Sequence, residues 1–111
     1  MLNGHQTIRR ITPEGVVTTL AGQPRSRGHV DGSAREARFN DPAGIVADAK
    51  GNLYVADSGN HVIRHIDPQG VVSTLAGSPG EAGDADGKGR EARFRNPQGV
   101  ALDLNGDLIV V

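Results

Sequence analysis

Apolar residues in this chain fall in short runs, each bounded by residues that favour turns. The run GIVADA begins at Gly44 and is answered by GVALDL at Gly99; NLYVAD begins at Asn52 and is answered by DLIVV at Asp107. HVIRHI at His61 corresponds to QTIRRI at Gln6, and GVVSTLA at Gly70 to GVVTTLA at Gly15. Val, Ile, Thr and Leu fill these runs, the residues that suit a pleated and partly buried surface, so each is expected to form a strand. The first run is apolar on both faces, as in a strand covered from both sides.

The joints agree. Asp48-Ala49-Lys50-Gly51-Asn52 and Asp103-Leu104-Asn105-Gly106-Asp107 place glycine where a short hairpin needs positive φ. Thr12-Pro13-Glu14-Gly15 and Asp67-Pro68-Gln69-Gly70 set proline second and glycine fourth, the signature of a type I turn. Asp57-Ser58-Gly59-Asn60 joins the second run to the third. Corresponding residues lie 55 positions apart, as Thr7 and Val62 do, and the match runs without a gap. The chain is thus two copies of one unit, and a period this long points to solenoids, propellers or arrays. Four strands joined by three hairpins make an antiparallel meander, the form of one propeller blade.

In that reading residues 1–22 are a half-blade carrying strands three and four, and 23–42 are a long connection. Residues 43–77 form a complete four-stranded blade, 78–97 a second long connection, and 98–111 a half-blade carrying strands one and two. Each connection is long for a compact fold. Its second half, Ser33–Pro42 or Gly89–Pro97, is expected to make one or two helical turns stopped by Pro42 or Pro97. Phe39 and Phe94 are its large apolar residues and are expected to plug it onto the sheets.

Composition narrows the functional classes. Aromatic residues are 3% of the chain, too few for a base-stacking platform, and the net charge of −1 gives no basic face for nucleic acid. Cysteine is absent, which removes disulfides, thiolate metal sites and cysteine nucleophiles. No apolar run approaches the roughly 20 residues that span a bilayer, and MLNGHQTIRR does not read as a secretory signal.

The segment Gly51-Asn52-Leu53-Tyr54-Val55 followed by Ala56-Asp57-Ser58-Gly59-Asn60-His61-Val62-Ile63-Arg64 resembles the NHL repeat, and the Asp-Pro-x-Gly turn at 67–70 fits it. The DG…EARFxxP insertion looks like that of bacterial and plant NHL proteins. The resemblance covers nearly the whole chain. It departs at Asn3-Gly4-His5-Gln6, which replaces the hallmark, and the second copy stops at Val111 before reaching it. The resemblance implies an all-β, NHL-type β-propeller, with a six-bladed ring as the family norm and two blade-equivalents in each chain.

Strand order then runs 3-4, 1-2-3-4, 1-2, which leaves two unpaired edges. One carries Ile8, Arg9 and Ile11, the other Leu108, Ile109 and Val110. Open apolar edges demand partners. Head-to-tail pairing of the two half-blades would make a composite blade, and heterologous contacts of this kind close into rings. Three chains supply six blades, so a homotrimer is expected, with an eight-bladed tetramer as the alternative. Copies this alike, with termini inside a blade hairpin, suggest an engineered or excised fragment, with a short natural gene for a self-assembling propeller as the alternative; the sequence does not separate them.

Blade topology puts the Asp57–His61 turn and the long connections on one face, where propellers commonly bind ligands. Arg25, Arg27, His29, Arg35, Arg38, Asn60, His61, Arg90 and Arg93 are the candidate binding residues there, suited to anions or to an acidic protein or peptide segment. The preferred alternative is that these arginines pair with Glu36, Glu91 or aspartates of a neighbouring blade. His61 and His65 share a strand face, but their counterparts are Gln6 and Arg10, so a turn network is preferred to a metal site. Asp48, Asp57 and Asp103 read as turn acceptors, and Asp31-Gly32 and Asp86-Gly87 as turns. Arg9 and Arg64 could each meet a carboxylate between blades and are taken as structural. No catalytic residue, metal or cofactor is assigned, and neither nucleic acid nor membrane is an expected partner. The reading is a non-catalytic, self-assembling scaffold or binding module. Its rivals are a propeller lyase or hydrolase acting at the channel mouth and, by repeat type alone, an RNA binder.

Overall fold

The computed structural model describes residues 6–111; Asn3, Gly4 and His5, at the departure from the repeat hallmark, lie outside the described residues. Eight strands follow in order: β1 (Thr7–Ile11), β2 (Val17–Gly22), β3 (Pro42–Ala47), β4 (Leu53–Asp57), β5 (Val62–Ile66), β6 (Val72–Gly77), β7 (Val100–Leu102) and β8 (Leu108–Val110). They form three antiparallel sheets, β1-β2, β3-β4-β5-β6 and β7-β8. The fold is all-β, and its middle sheet is a meander of sequence neighbours.

Turn chemistry closes the hairpins. Asp67 Oδ1 accepts the backbone N–H groups of Gln69 and Val71, both at 2.9 Å, while Gly70 N–H donates to Asp67 O at φ +89°. Asp48 and Asp103 do the same work in the other hairpins: Asp48 Oδ1 accepts from Lys50 and Asn52, Asp103 Oδ1 from Asn105 and Asp107. These aspartates hold Asx turns. Hydrogen bonds to the N–H of Asn52, and to Asn52 Nδ2, Lys50 N–H and Tyr54 Oη, hold the Asp48 carboxyl below its usual range despite some desolvation.

One irregularity recurs in both repeats. The β5–β6 register shifts between Ile63 and Arg64, and the β1–β2 register shifts between Ile8 and Arg9. A bulge bends its strand and re-aims side chains. Consecutive residues Ile63 and Arg64 are accordingly both buried. Gly22 and Gly77 close the outer strands of each repeat at φ near +90°, where a Cβ would stand 2.5 Å from Gln6 O or 2.8 Å from His61 O. Only glycine permits that approach.

The core lies under the first connection. Ile8, Ala21, Ala37, Phe39, Val55, Ile66 and Val72 pack together, flanked by Leu20, Ala34 and Leu53. Phe39 is fully buried against Gly22, and Phe94 stands half-buried against Gly77 at the corresponding place.

Two expectations need adjusting. The connections hold less helix than the sequence suggests: a single 3-10 turn at Gly89–Glu91, and at Ser33 a turn closed by the N–H groups of Glu36 and Ala37. The chain must return extended, because Val30 bridges to Arg38 and Gly32 to Val72. Nor is β3 covered on both faces. Ile45 lines an open cleft of about 480 Å³ between β3-β4 and the β1-β2 sheet, shared with Ile8, Arg9, Arg10, Leu20, Val46, Ala47 and Leu53.

Candidate functional site

Arg64 leaves the bulge of β5 and enters the joint between the blade and the first connection, where its side chain is wholly buried. Its Nη1 donates to Asp57 Oδ2 and to Arg38 O, both at 2.8 Å. Its Nη2 donates to Asp31 Oδ1 and to Val30 O, both at 2.9 Å. The guanidinium also lies over the Phe39 ring, 4.8 Å from its centroid, a cation–π contact. Only its Nε is left without a hydrogen-bond acceptor.

Asp57, at the end of β4, completes the centre. Its Oδ1 accepts Asn40 N–H and its Oδ2 accepts Asn60 Nδ2, each at 2.8 Å, in addition to Arg64. Burial pushes the Asp57 carboxyl up from its ordinary value, while the Asn40, Asn60 and Arg64 bonds oppose that shift. Asn60 also donates to Gly28 O at 2.8 Å. His29 Nε2 meets Thr74 Oγ1 at 2.7 Å, and Thr74 Oγ1 reaches both oxygens of Asp31 at 3.1 Å. The network thus ties the first connection to β4, β5 and β6 through residues 17 to 45 positions apart.

Desolvation, then the positive charge of Arg64, lowers the His29 pKa below 6.5, and the Asp31 and Asp57 charges only partly oppose this. The fold therefore favours the neutral imidazole. As pH falls through 6.5 the unfolded chain takes the proton first, so stability present above that pH is lost on acidification. Urea titrations from pH 7.5 to 5 are expected to show this decline, and His29→Gln, which keeps a polar group for Thr74, to flatten it. An unchanged slope in the variant would contradict the assignment.

The other candidates separate. Arg38 Nη1 folds back onto the carbonyls of Arg35, Glu36 and Ala37, and Arg93 Nη1 onto those of Arg90 and Ala92. Both therefore brace their own turns, and Arg93 also meets Glu81 Oε1 at 3.4 Å. Arg25, Arg27, Arg35 and Arg90 are exposed, Arg25 at φ +62°. His61 Nδ1 accepts the N–H of Asn96 at 3.0 Å, and Gln6 Oε1 accepts that of Asp41 at 2.6 Å, so one link recurs in both repeats. His65 Nε2 instead meets Asn52 Oδ1 at 2.8 Å beside Tyr54. Among the described residues no group of three or more His, Asp or Glu side chains could hold a metal ion.

Of the edge residues, Ile8 is buried, Arg9 and Ile11 are exposed, Leu108 and Val110 are half-buried and Ile109 is exposed. Sequence reasoning missed Asp31 as the second partner of Arg64. The signal was present in the repeat itself: arginine recurs at 9 and 64, aspartate at 31 and 86.

Residues 23–84 match the model of the Teneurin NHL domain. NHL repeat-containing protein 2 of Gallus gallus is 38% identical over 115 residues, covering 95% of this chain and 16% of that protein. Among solved structures, a structural-genomics protein of unknown function from Bacteroides thetaiotaomicron superposes with a TM-score of 0.89 at 32% identity, over 95% of this chain and 27% of that one. An auxiliary nutrient binding protein from Bacteroides ovatus superposes with a TM-score of 0.77 at 29% identity, over 93% of this chain and 29% of the other. The chain thus spans less than a third of the length of each of these relatives.

Proposed function

The chain belongs to the NHL-repeat family, and from that premise we propose that it is a non-catalytic β-propeller module in which copies join head to tail, three chains making a six-bladed ring. The observation carrying this reading is an internal comparison. Ile66 is 3% exposed and its counterpart Ile11 is 70% exposed; Val72 is 1% exposed and Val17 43%. The same sequence positions are covered in the complete blade and bare in the half-blade. What covers them in the complete blade is its own first pair of strands and the connection leading in, and β7, β8 and residues 78–97 are the repeat-related equivalents.

The polar centre supports a non-catalytic role, because the Asp57 carboxylate, Asn60 Nδ2 and both Nη atoms of Arg64 are engaged by one another, by Asp31 and by backbone. A ligand would meet the exposed guanidinium groups of Arg25, Arg35 and Arg90 at the connection face, which suits an acidic peptide or protein segment. The nutrient-binding relative supports a binding rather than a reactive use of this architecture.

Backbone geometry supplies a test. Val111 N–H donates to Gly99 O, and Asp103 N–H to Asp107 O, so by the alternation of an antiparallel ladder Ile109 faces β7 and the amides of Leu108 and Val110 face outward. In a composite blade those two amides are hydrogen-bonded and exchange with solvent slowly, as Leu53 and Val55 do between β4 and β5. Rapid exchange of both at concentrations where the protein is folded would contradict the reading.

A further inference from the structure

Resting on the head-to-tail reading, we infer that charge specifies the seam: Arg9 and Arg10 of one copy seat against Asp86 and Asp107 of the next. The complete blade provides the template. There Arg64 takes Asp57 from its own blade and, from the first connection, Asp31, Val30 O and Arg38 O while lying on Phe39. The counterparts of the connection-borne part of that receptor are Asp86, Ala85 O, Arg93 O and Phe94 in the second connection.

The backbone of that receptor is already formed. Arg93 N–H donates to Ala85 O at 2.9 Å and Gly83 N–H to Phe94 O at 3.0 Å, matching Arg38 to Val30 at 3.0 Å and Gly28 to Phe39 at 2.9 Å in the first connection. Its occupant by repeat position is Arg9, which is exposed in this chain, whereas Arg64 is wholly buried.

The second pair is more telling, because the two repeats differ there. Across β4 and β5 the complete blade sets His65 on Asn52 at 2.8 Å, a pair without opposed charges. By the same register Ile109 lies directly opposite Arg10 across the seam, and Asp107 takes the diagonal place that Asn52 holds beside His65; Arg10 and Asp107 are opposite charges. Diagonal neighbours on one face of an antiparallel pair lie within reach of a long side chain such as arginine, so opposite charges there attract and like charges repel. Charge complementarity of this kind also steers encounter and rejects wrong partners. The seam therefore selects a copy of this chain, in one orientation.

The test is native mass against protein concentration for wild type, Arg10→Glu, Asp107→Arg and the double exchange, with Lys50→Met as a control in the β3–β4 turn. Each single exchange sets like charges on that diagonal and is expected to raise the dissociation concentration by at least about tenfold. The double exchange restores an opposite pair at every junction and is expected to return to within about threefold of wild type. Arg9→Met is expected to weaken assembly independently of that rescue. Wild-type rings with unaffected single variants overturn this inference and leave the ring standing. Weakened singles without rescue also overturn it, assigning their effect to folding. A monomeric wild type overturns the ring and the seam together.

Discussion

Arg64→Met is expected to cost about 3–5 kcal/mol of folding stability, the range for breaking a buried ion pair by removing one partner. Methionine fills similar volume, so lost packing is a minor part. What remains is Asp57, buried beneath the connection and deprived of its cation, together with carbonyls of Val30 and Arg38 that have lost a donor. Stabilities of single domains run to about 5–15 kcal/mol, so a loss of this size removes a large share. Arg64→Lys is expected to recover little, since one ammonium cannot reach four acceptors in the plane of a guanidinium fork. Urea denaturation gives the free energy. Amide exchange at Gly28 and Arg38, both bonded within the connection, reports whether that segment undocks first. A loss below about 1 kcal/mol, the scale of an exposed ion pair, would show that the centre does not hold the connection.

Val110→Pro is expected to abolish assembly and leave the protomer folded. Its amide faces away from β7, so proline removes a donor that the isolated hairpin does not use. Ile109→Pro differs by one position and by mechanism, because the Ile109 amide belongs to the β7 ladder and its loss opens the hairpin itself. The first variant therefore runs at protomer mass with its β-sheet circular dichroism retained, whereas the second loses signal from β7 and β8. Rings persisting in Val110→Pro would contradict outward pairing of β8.

Strands were legible because each is written twice with its turn chemistry. Gly70 after Pro68, and Gly51 after Asp48, punctuate runs whose counterparts sit 55 residues away, so a chance apolar stretch could not mimic them. The connection was harder to read. Ser-Ala-Arg-Glu-Ala-Arg has helical composition, but the backbone pairing of Val30 with Arg38 forces the chain extended after one turn. Ile45 belongs to an apolar run, and the sequence does not reveal that its neighbour across the cleft is a half-sheet. The polar centre was legible only in part. Asp57 and Arg64 belong to the repeat hallmark, but Asp31 reaches Arg64 across 33 residues from a segment whose DG pair looks like any turn. His61 was read as part of a turn network and does bond a turn backbone, through Asn96.

Native mass spectrometry of the cysteine-free wild-type chain at micromolar concentration bears most directly on the claim that two half-blades complete each other between copies. The account predicts a species of three times 11.6 kDa, about 35 kDa, that dissociates on dilution without passing through a stable dimer. A folded species that stays at 11.6 kDa across that range would contradict it.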